Sequence, residues 1–482
     1  MTEVKQFRRE LGLGSSTMLI MGVMIGSGIF IVSADISRTV GSAGYLILVW
    51  ILTGLVTLMA ALAYGELAGM MPHAGGQYVY LRQAYNPFIG FLYGWTLFLI
   101  IQTGTIAAVA MAFAKFFAQL LPLFGEDKIA LQVGGKVLSM SKVVAITSIV
   151  VLTWINSRGL RLAKWVQNSL TVTKILALLA VIVVGLLIGR NPEIVARNFH
   201  NLWQASWTHV QHGRITGIEP LNGLMVLAAM GVAMVGSLFS SDAWNNITFA
   251  AAEVVKPKRT IPLSLALGTA SVTVLYILAN LAYLCVLPVL GEPQAMDVWG
   301  RGIQFASADR VATAAAWAVL GDSGMMIMAV LIMISTFGCN NGLILAGARV
   351  YYAMAQDGLF FKQTGRLNRH SVPGAALWVQ AIWACLLCLT GSYSDLLDYV
   401  IFAVLIFYVL TIAGVFILRI KAPQAERPYR AFGYPCVPAL YILIALGICL
   451  DLLIYKPDYT WPGVLIVAAG APVYWVWRKF GK

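Results

Sequence analysis

Gly26, Ser27 and Gly28 interrupt an apolar run that begins near Thr17. Glycine costs ~1 kcal/mol relative to alanine inside a helix, and serine favours caps and turns. A helix broken here, at bilayer depth, frees backbone N–H and C=O groups. Those groups are tolerated only where protein or a polar cavity satisfies them. On this reading the first half ends near Ile25, and the carbonyls of Val23, Met24 and Ile25 become acceptors. The second half starts near Ser27 and Gly28, with free amides and the positive end of its dipole. That is the chemistry of an anion site, and glycine permits close backbone approach. A ligand with both a carboxylate and an ammonium, such as an α-amino acid, matches donors and acceptors together.

A second interruption lies at Phe239-Ser240-Ser241-Asp242-Ala243-Trp244-Asn245-Asn246. It offers the carbonyls of Phe239, Ser240 and Ser241, with Phe239 as an apolar lid and Asn245 as a further polar contact. Asp242 is costly at bilayer depth, ~2.5–3.5 kcal/mol on insertion scales, so it is expected to face a cavity with a partner. Its readings stay open: a contact for a substrate ammonium, a partner of Lys174, a proton carrier, or a cap for a half-helix starting at Ala243. Lys174 lies about ten residues past the nearer edge of its own apolar run. That is deep for snorkelling. The alternative is a fixed cation donating to the carbonyls of the first break, in the place a bound sodium would take. Gln102, Thr103, Ser335, Thr336, Asn340, Asn341 and Tyr408 are candidates for pocket lining or for bonds between helices.

The elements that position these residues follow from composition. The chain has 482 residues, 60% hydrophobic and only 11% charged, and its mean hydropathy is +0.81. Soluble domains carry about 25% charged residues. The expected fold class is an all-α membrane protein with about twelve spans, near 17–32, 44–69, 88–121, 142–156, 165–189, 221–252, 262–288, 324–354, 374–390, 395–419, 437–455 and 461–477. The third and eighth are long enough to tilt or to overrun the bilayer. A short apolar segment within 304–320 reads as a re-entrant or surface helix. No cleavable signal peptide is expected, since the first residues are polar.

The net charge of +13 invites a nucleic-acid reading. The distribution argues against it: basic residues concentrate in alternate loops, with Lys5, Arg8, Arg158, Arg161, Lys256, Lys258, Arg419, Arg427 and Lys482 on the side of the termini. By the positive-inside rule both termini are cytoplasmic. Lys115, Lys174 and Arg349 fall within spans. The six cysteines lack metal-ligand spacing and read as small buried hydrophobes, so no cofactor or metal is expected. No His-Ser-Asp, HExxH or paired-carboxylate arrangement appears in a span, which argues against an enzyme.

Each break opens a set of five spans, and two spans remain at the end. Paired broken helices in two halves point to inverted repeats with a midplane site. The expected division is 1–16 as an N-terminal cytoplasmic segment, 17–189 as the first repeat, 190–220 as an extracellular loop, 221–420 as the second repeat, and 421–482 as the final two helices with the C-terminus.

Five stretches carry a resemblance. They are Gly22 to Phe30; Glu66 through Pro72-His73-Ala74-Gly75-Gly76-Gln77-Tyr78; Phe239 with Ala243-Trp244-Asn245-Asn246 and Glu253 to Pro262; Ser335-Thr336-Phe337-Gly338 with Asn341, Gly342 and Arg349; and Arg427-Pro428-Tyr429-Arg430. In this order, over nearly the whole chain, they resemble the amino acid–polyamine–organocation superfamily. The chain is most similar to its L-type amino acid transporter branch and bacterial relatives. The resemblance implies two inverted five-helix repeats with broken first and sixth helices, plus two extra helices. It implies sodium-independent amino acid transport by alternating access in an inner or plasma membrane, often by exchange. It puts Ser27 and Gly28 at the substrate carboxylate, Val23, Met24 and Phe239 near the amino group, and Lys174 in place of a sodium ion. Neutral L-amino acids are the expected substrates; the alternatives are proton symport, or cationic amino acids and polyamines through Asp242. A remote alternative is a non-transporting nutrient receptor.

Two departures stand out. The loop from Pro122 to Lys142 has no cysteine, so the disulfide-linked glycoprotein partner of eukaryotic light chains is not implied. Asp242 stands where L-type members usually carry a small uncharged residue.

Overall fold

The computed structural model describes residues 7–133, 136–211, 213–390 and 393–480; Lys5 and Lys482 lie outside them. The apolar runs form helices because a backbone in hydrocarbon must bond within its own segment. The elements are α1 (Leu13–Met24), α2 (Ser33–Val40), α3 (Ala43–Met70) and α4 (Gln77–Ala84); α5 (Pro87–Leu120); α6 (Met140–Ser157); α7 (Leu160–Ile188); and α8 (Pro192–His200), α9 (Leu224–Ser240), α10 (Asn246–Phe249), α11 (Pro257–Val286), α12 (Val311–Gln356), α13 (Gly374–Thr390), α14 (Tyr393–Lys421), α15 (Cys436–Tyr455) and α16 (Pro457–Phe480).

Among the described residues, nine helices are long and apolar enough to cross a bilayer, and shorter apolar helices lie at α1, α9 and α13. Together these account for the twelve expected spans. The first is longer than expected. It runs from Leu13 through the break, resumes in a 3-10 turn at Gly28–Phe30, and continues as α2 to Val40. Local signals set several ends. The Ser42 hydroxyl accepts from the Tyr45 amide at the start of α3, and Asn86 caps α5 just before Pro87, where a missing N–H costs nothing.

The two longest helices behave as their lengths demand. At 34 residues, α5 overruns a hydrocarbon core that about 20 helical residues cross, and it carries a π-turn at Leu97–Ile101. The 46-residue α12 breaks its helical dihedrals at Gly321, where φ is +61°. The expected short helix within 304–320 is the arm before this break. A second π-turn, Val184–Ile188, ends α7. The helical reading omits two β-hairpins in the connections: β1 (Ile129–Val133) with β2 (Lys136–Ser139), and β3 (Ser206–Gln211) with β4 (Arg214–Pro220). Pairing lets these connecting segments satisfy their own backbone.

The packing follows the repeat. The second spans of the two halves, α3 and α11, lie against each other, as do the third spans, α5 and α12. The halves of the broken helices cross over: α2 packs on α9, and α1 packs on α10. These pairings bring the two interruptions together.

Candidate functional site

The first break begins where the α1 ladder runs out. The last regular bond is from the Ile25 amide to the Met21 carbonyl, 2.9 Å. The Gly26 amide then turns back to the Met24 carbonyl, 2.8 Å. A helix end leaves its final carbonyls without partners, and here side chains from three other spans supply them. Lys174 Nζ, fully buried on α7, donates to Gly22 O at 2.7 Å, Ile25 O at 2.9 Å and Ser335 O at 2.9 Å. An ammonium has three N–H groups, so all three are used. The Ser335 hydroxyl, on α12, is shared between Ile25 O and Gly26 O at 3.0 and 3.1 Å. Cys339 Sγ donates to Val23 O at 2.9 Å. The Tyr276 hydroxyl, on α11, lies 2.8 Å from Met24 O and 3.1 Å from Ser240 O.

Val23, Met24 and Ile25 therefore each already accept from the protein. They are not vacant acceptors, and a ligand ammonium reaches them only through their second lone pairs. Snorkelling of Lys174 is excluded by its complete burial and its three carbonyl partners. Its pairing with Asp242 is excluded as well, because no N–H remains.

The second break ends α9 at Ser240. The Ser241 amide still reaches Ser237 O at 3.0 Å, and the Asp242 amide reaches Phe239 O at 3.2 Å. Ala243 then takes φ +63°, a left-handed conformation that costs a residue with a Cβ about 1–2 kcal/mol. Regular helix resumes only at Asn246. Asp242 is thus not the cap of a half-helix starting at Ala243, because Ala243 is not helical. Its carboxylate instead accepts from the Tyr408 hydroxyl of α14 at 2.6 Å. Among the described residues it forms no ion pair.

The breaks touch at Gly28. A Cβ there would collide with the side chain of Ser240, so the close approach requires glycine. Gly26 faces Cys339 Sγ, 3.1 Å from where its Cβ would stand. Phe239 is buried in the main apolar core. The predicted residues divide into two groups. The first lies at the breaks themselves: Gly28 against Ser240, with the Tyr276 hydroxyl near both Met24 O and Ser240 O; Val23, Ile25 and Lys174 at the carbonyls of the first break; and Ser27 and Phe239 buried in the two broken segments. Asp242 and Asn245 line a neighbouring narrow cavity with Gln77, Gln102, Leu343 and Tyr408. There Asn245 donates to Gln77 Oε1 at 2.9 Å, and Gln77 to Thr411 at 3.0 Å.

Sequence reasoning missed Tyr276 and Cys339 as partners of the break. Neither carries a local signal, since one buried tyrosine or cysteine in an apolar helix looks like core. Gln77 was visible only as part of a loop motif. Of the polar span residues, Asn340 bonds Ile106 O at 3.1 Å, Gln102 bonds Leu343 O at 2.8 Å, and Asn341 joins Gln167 at 2.9 Å and Asn156 at 2.9 Å. Thr103 and Thr336 bond within their own helices.

Both ends of the bundle are tied. At the end that holds the termini, the Leu11 amide donates to Glu253 O at 3.0 Å and the Val255 amide to Leu11 O at 2.9 Å. Beneath them Glu253 and Arg349 form a wholly buried pair at 2.9 Å. Glu66 holds Arg419 at 2.7 Å, Arg427 at 3.3 Å and the Ala431 amide at 2.7 Å. Arg82 pairs with Asp357, which also accepts from Tyr78 at 2.7 Å. At the opposite end Arg38 bridges Asp309 and Gln304 O, each at 2.7 Å, and Lys115 reaches Ala308 O at 2.7 Å.

Two broken spans that meet at polar backbone, packed among other apolar helices, fit a helical membrane transporter. Comparison with known proteins narrows the class. The family model for amino acid permeases matches residues 11–475, and the chain belongs to that family. The mouse (Mus musculus) b(0,+)-type amino acid transporter 1 is similar at 27% identity, the match covering 100% of this chain and 91% of that protein. Its human (Homo sapiens) counterpart is 28% identical over 98% of this chain and 89% of its own length. The mouse large neutral amino acids transporter small subunit 2 is 28% identical over 97% and 81%.

Proposed function

We propose that the protein is a sodium-independent permease that exchanges or facilitates neutral L-amino acids by alternating access. It sits in an inner or plasma membrane with both termini cytoplasmic. The observation that carries the reading is the position of Lys174: its ammonium holds two carbonyls of the first break and one of α12, where a coupling cation would otherwise be needed. The substrate carboxylate goes to the amides at Ser27 and Gly28. The ammonium goes to the remaining lone pairs of Val23, Met24 and Ile25 and to the second break at Phe239 and Ser240. The neutral preference is supported by the name of the large neutral amino acids transporter relative.

The two repeats, 17–189 and 221–420, move against each other. The ties at either end of the bundle break in turn, with 421–482 as an outer pair. Binding must favour neither face strongly, since a ligand shifts such an equilibrium only by its difference in affinity. No disulfide-linked partner is needed on this reading. Counterflow of labelled amino acid into proteoliposomes preloaded with unlabelled amino acid, with and without sodium, tests it. Uptake that needs sodium, or that preloading fails to stimulate, overturns exchange without sodium.

One observation favours a second substrate class. Asp242 lines the cavity beside the breaks with a tyrosine hydroxyl and no cation as its partner. A substrate carrying a side-chain cation supplies the missing charge. Competition by lysine, arginine and diamines in the same assay separates the two classes.

A further inference from the structure

We propose that a membrane phospholipid of the leaflet remote from the termini inserts one acyl chain into an apolar groove between α7, α11 and α12, with its phosphate at Arg190. The groove floor includes Ala177, Gly185, Tyr283 and Met328, and its lining is almost wholly apolar. The floor is buried, while the rim residues Ala180, Leu320 and Ile327 are exposed. The groove therefore opens outward from a wall built of membrane spans. An apolar cavity of this kind stays dry. In a bilayer the medium outside it is hydrocarbon, so an acyl chain is the occupant at hand.

Depth and charge select a phospholipid over other apolar occupants. The groove lies at the distal ends of α7 and α11 and at the Gly321 break of α12. On the arm of α12 before that break, Trp317 meets Trp299 with ring centroids 6.0 Å apart, and tryptophans favour the membrane–water interface. Arg190 follows the end of α7 by two residues and is exposed. Its neighbours are pinned to the groove walls. Gly189 packs on Val319 and Val286, and both line the groove. The Asn191 amide donates to Cys285 O at 3.0 Å. Among the described residues Arg190 has no ion pair, so an exposed arginine, suited to phosphate, follows directly on the segment that closes the distal end of the groove.

The occupant buttresses the helices that hold the first break. Ala177 is one turn from Lys174 on α7. Tyr283 lines the groove with its ring and donates its hydroxyl to Ile29 O at 3.4 Å.

The test uses the full chain in vesicles of phosphatidylethanolamine and phosphatidylglycerol, doped with phosphatidylglycerol bearing a diazirine at the end of one acyl chain. Illumination followed by peptide mapping is expected to enrich adducts at 177–185, 282–286 and 315–331 over the rest of the lipid-facing surface. Ala180→Phe fills the groove from its exposed rim and is expected to cut those adducts at least fivefold. Arg190→Gln leaves the groove intact and is expected to cut them two- to threefold. Adducts spread evenly around the bundle, or unchanged by Ala180→Phe, overturn the groove as a site. Equal labelling of Arg190→Gln, or displacement by a sterol lacking phosphate, overturns the phospholipid assignment.

Discussion

Lys174→Met isolates the role of the buried ammonium, because methionine keeps most of the volume and removes the charge. Of the three carbonyls it bonds, Ile25 O keeps the Ser335 hydroxyl. Ser335 O belongs to the long helix α12. Only Gly22 O is left bare, its helical donor Gly26 N having turned to Met24 O. An unsatisfied buried acceptor costs about 1–3 kcal/mol. Against this, the variant no longer desolvates an ammonium, a penalty of several kcal/mol that the native carbonyls must offset. Folding stability is therefore expected to change by less than about 3 kcal/mol. Transport has no such compensation, since among the described residues no other side-chain hydrogen bond joins Gly22 on α1 to both α7 and α12. Losing about 1.4 kcal/mol at the transition state is a tenfold fall in rate, and a larger loss is expected. The assay is counterflow in proteoliposomes, paired with thermal unfolding of the same preparation. Lys174→Arg is expected to fail as well, because a planar fork does not match three convergent carbonyls. Transport by Lys174→Met within twofold of the parent, at unchanged apparent affinity, would refute the assignment of Lys174 to the site.

Replacing sodium with choline outside and inside the vesicles is expected to leave uptake unchanged; strict dependence would mean that a cation site exists elsewhere. Asp242→Asn keeps the Tyr408 bond but removes the charge, and competition by lysine and arginine should weaken at least fivefold while that by leucine changes little. Equal effects on both would assign Asp242 a purely structural role. Gly28→Val drives side-chain atoms into Ser240 and is expected to abolish binding in a thermal-shift screen of amino acids, with the protein still inserted. Glu253→Ala leaves Arg349 charged and buried, which typically costs ~3–5 kcal/mol. Its unfolding temperature should fall, and the double variant Glu253→Ala/Arg349→Met should recover part of the loss; no recovery would argue against an electrostatic origin.

The composition and the long apolar runs determined the class of fold, because a chain in hydrocarbon has few ways to satisfy its backbone. They also located both breaks, since glycine, serine and a lone aspartate in an apolar helix are local signals of cost. The depth of Lys174 in its run argued against a snorkelling cation, and its burial with three carbonyl partners excluded one. What the sequence could not decide was which carbonyls each donor would serve. That depends on how α7, α11 and α12 cross the first break, and those crossings join residues hundreds of positions apart, as Tyr276 and Met24 do. The left-handed turn at Ala243 was invisible for the same reason: alanine favours helix locally, and only the packing of α9 against its neighbours imposes the strain. Asp242 was expected from its cost to face a cavity, but which of its readings held was open. The non-helical Ala243 and the saturated Lys174 removed the cap and the Lys174 partner, and tertiary structure alone could do so.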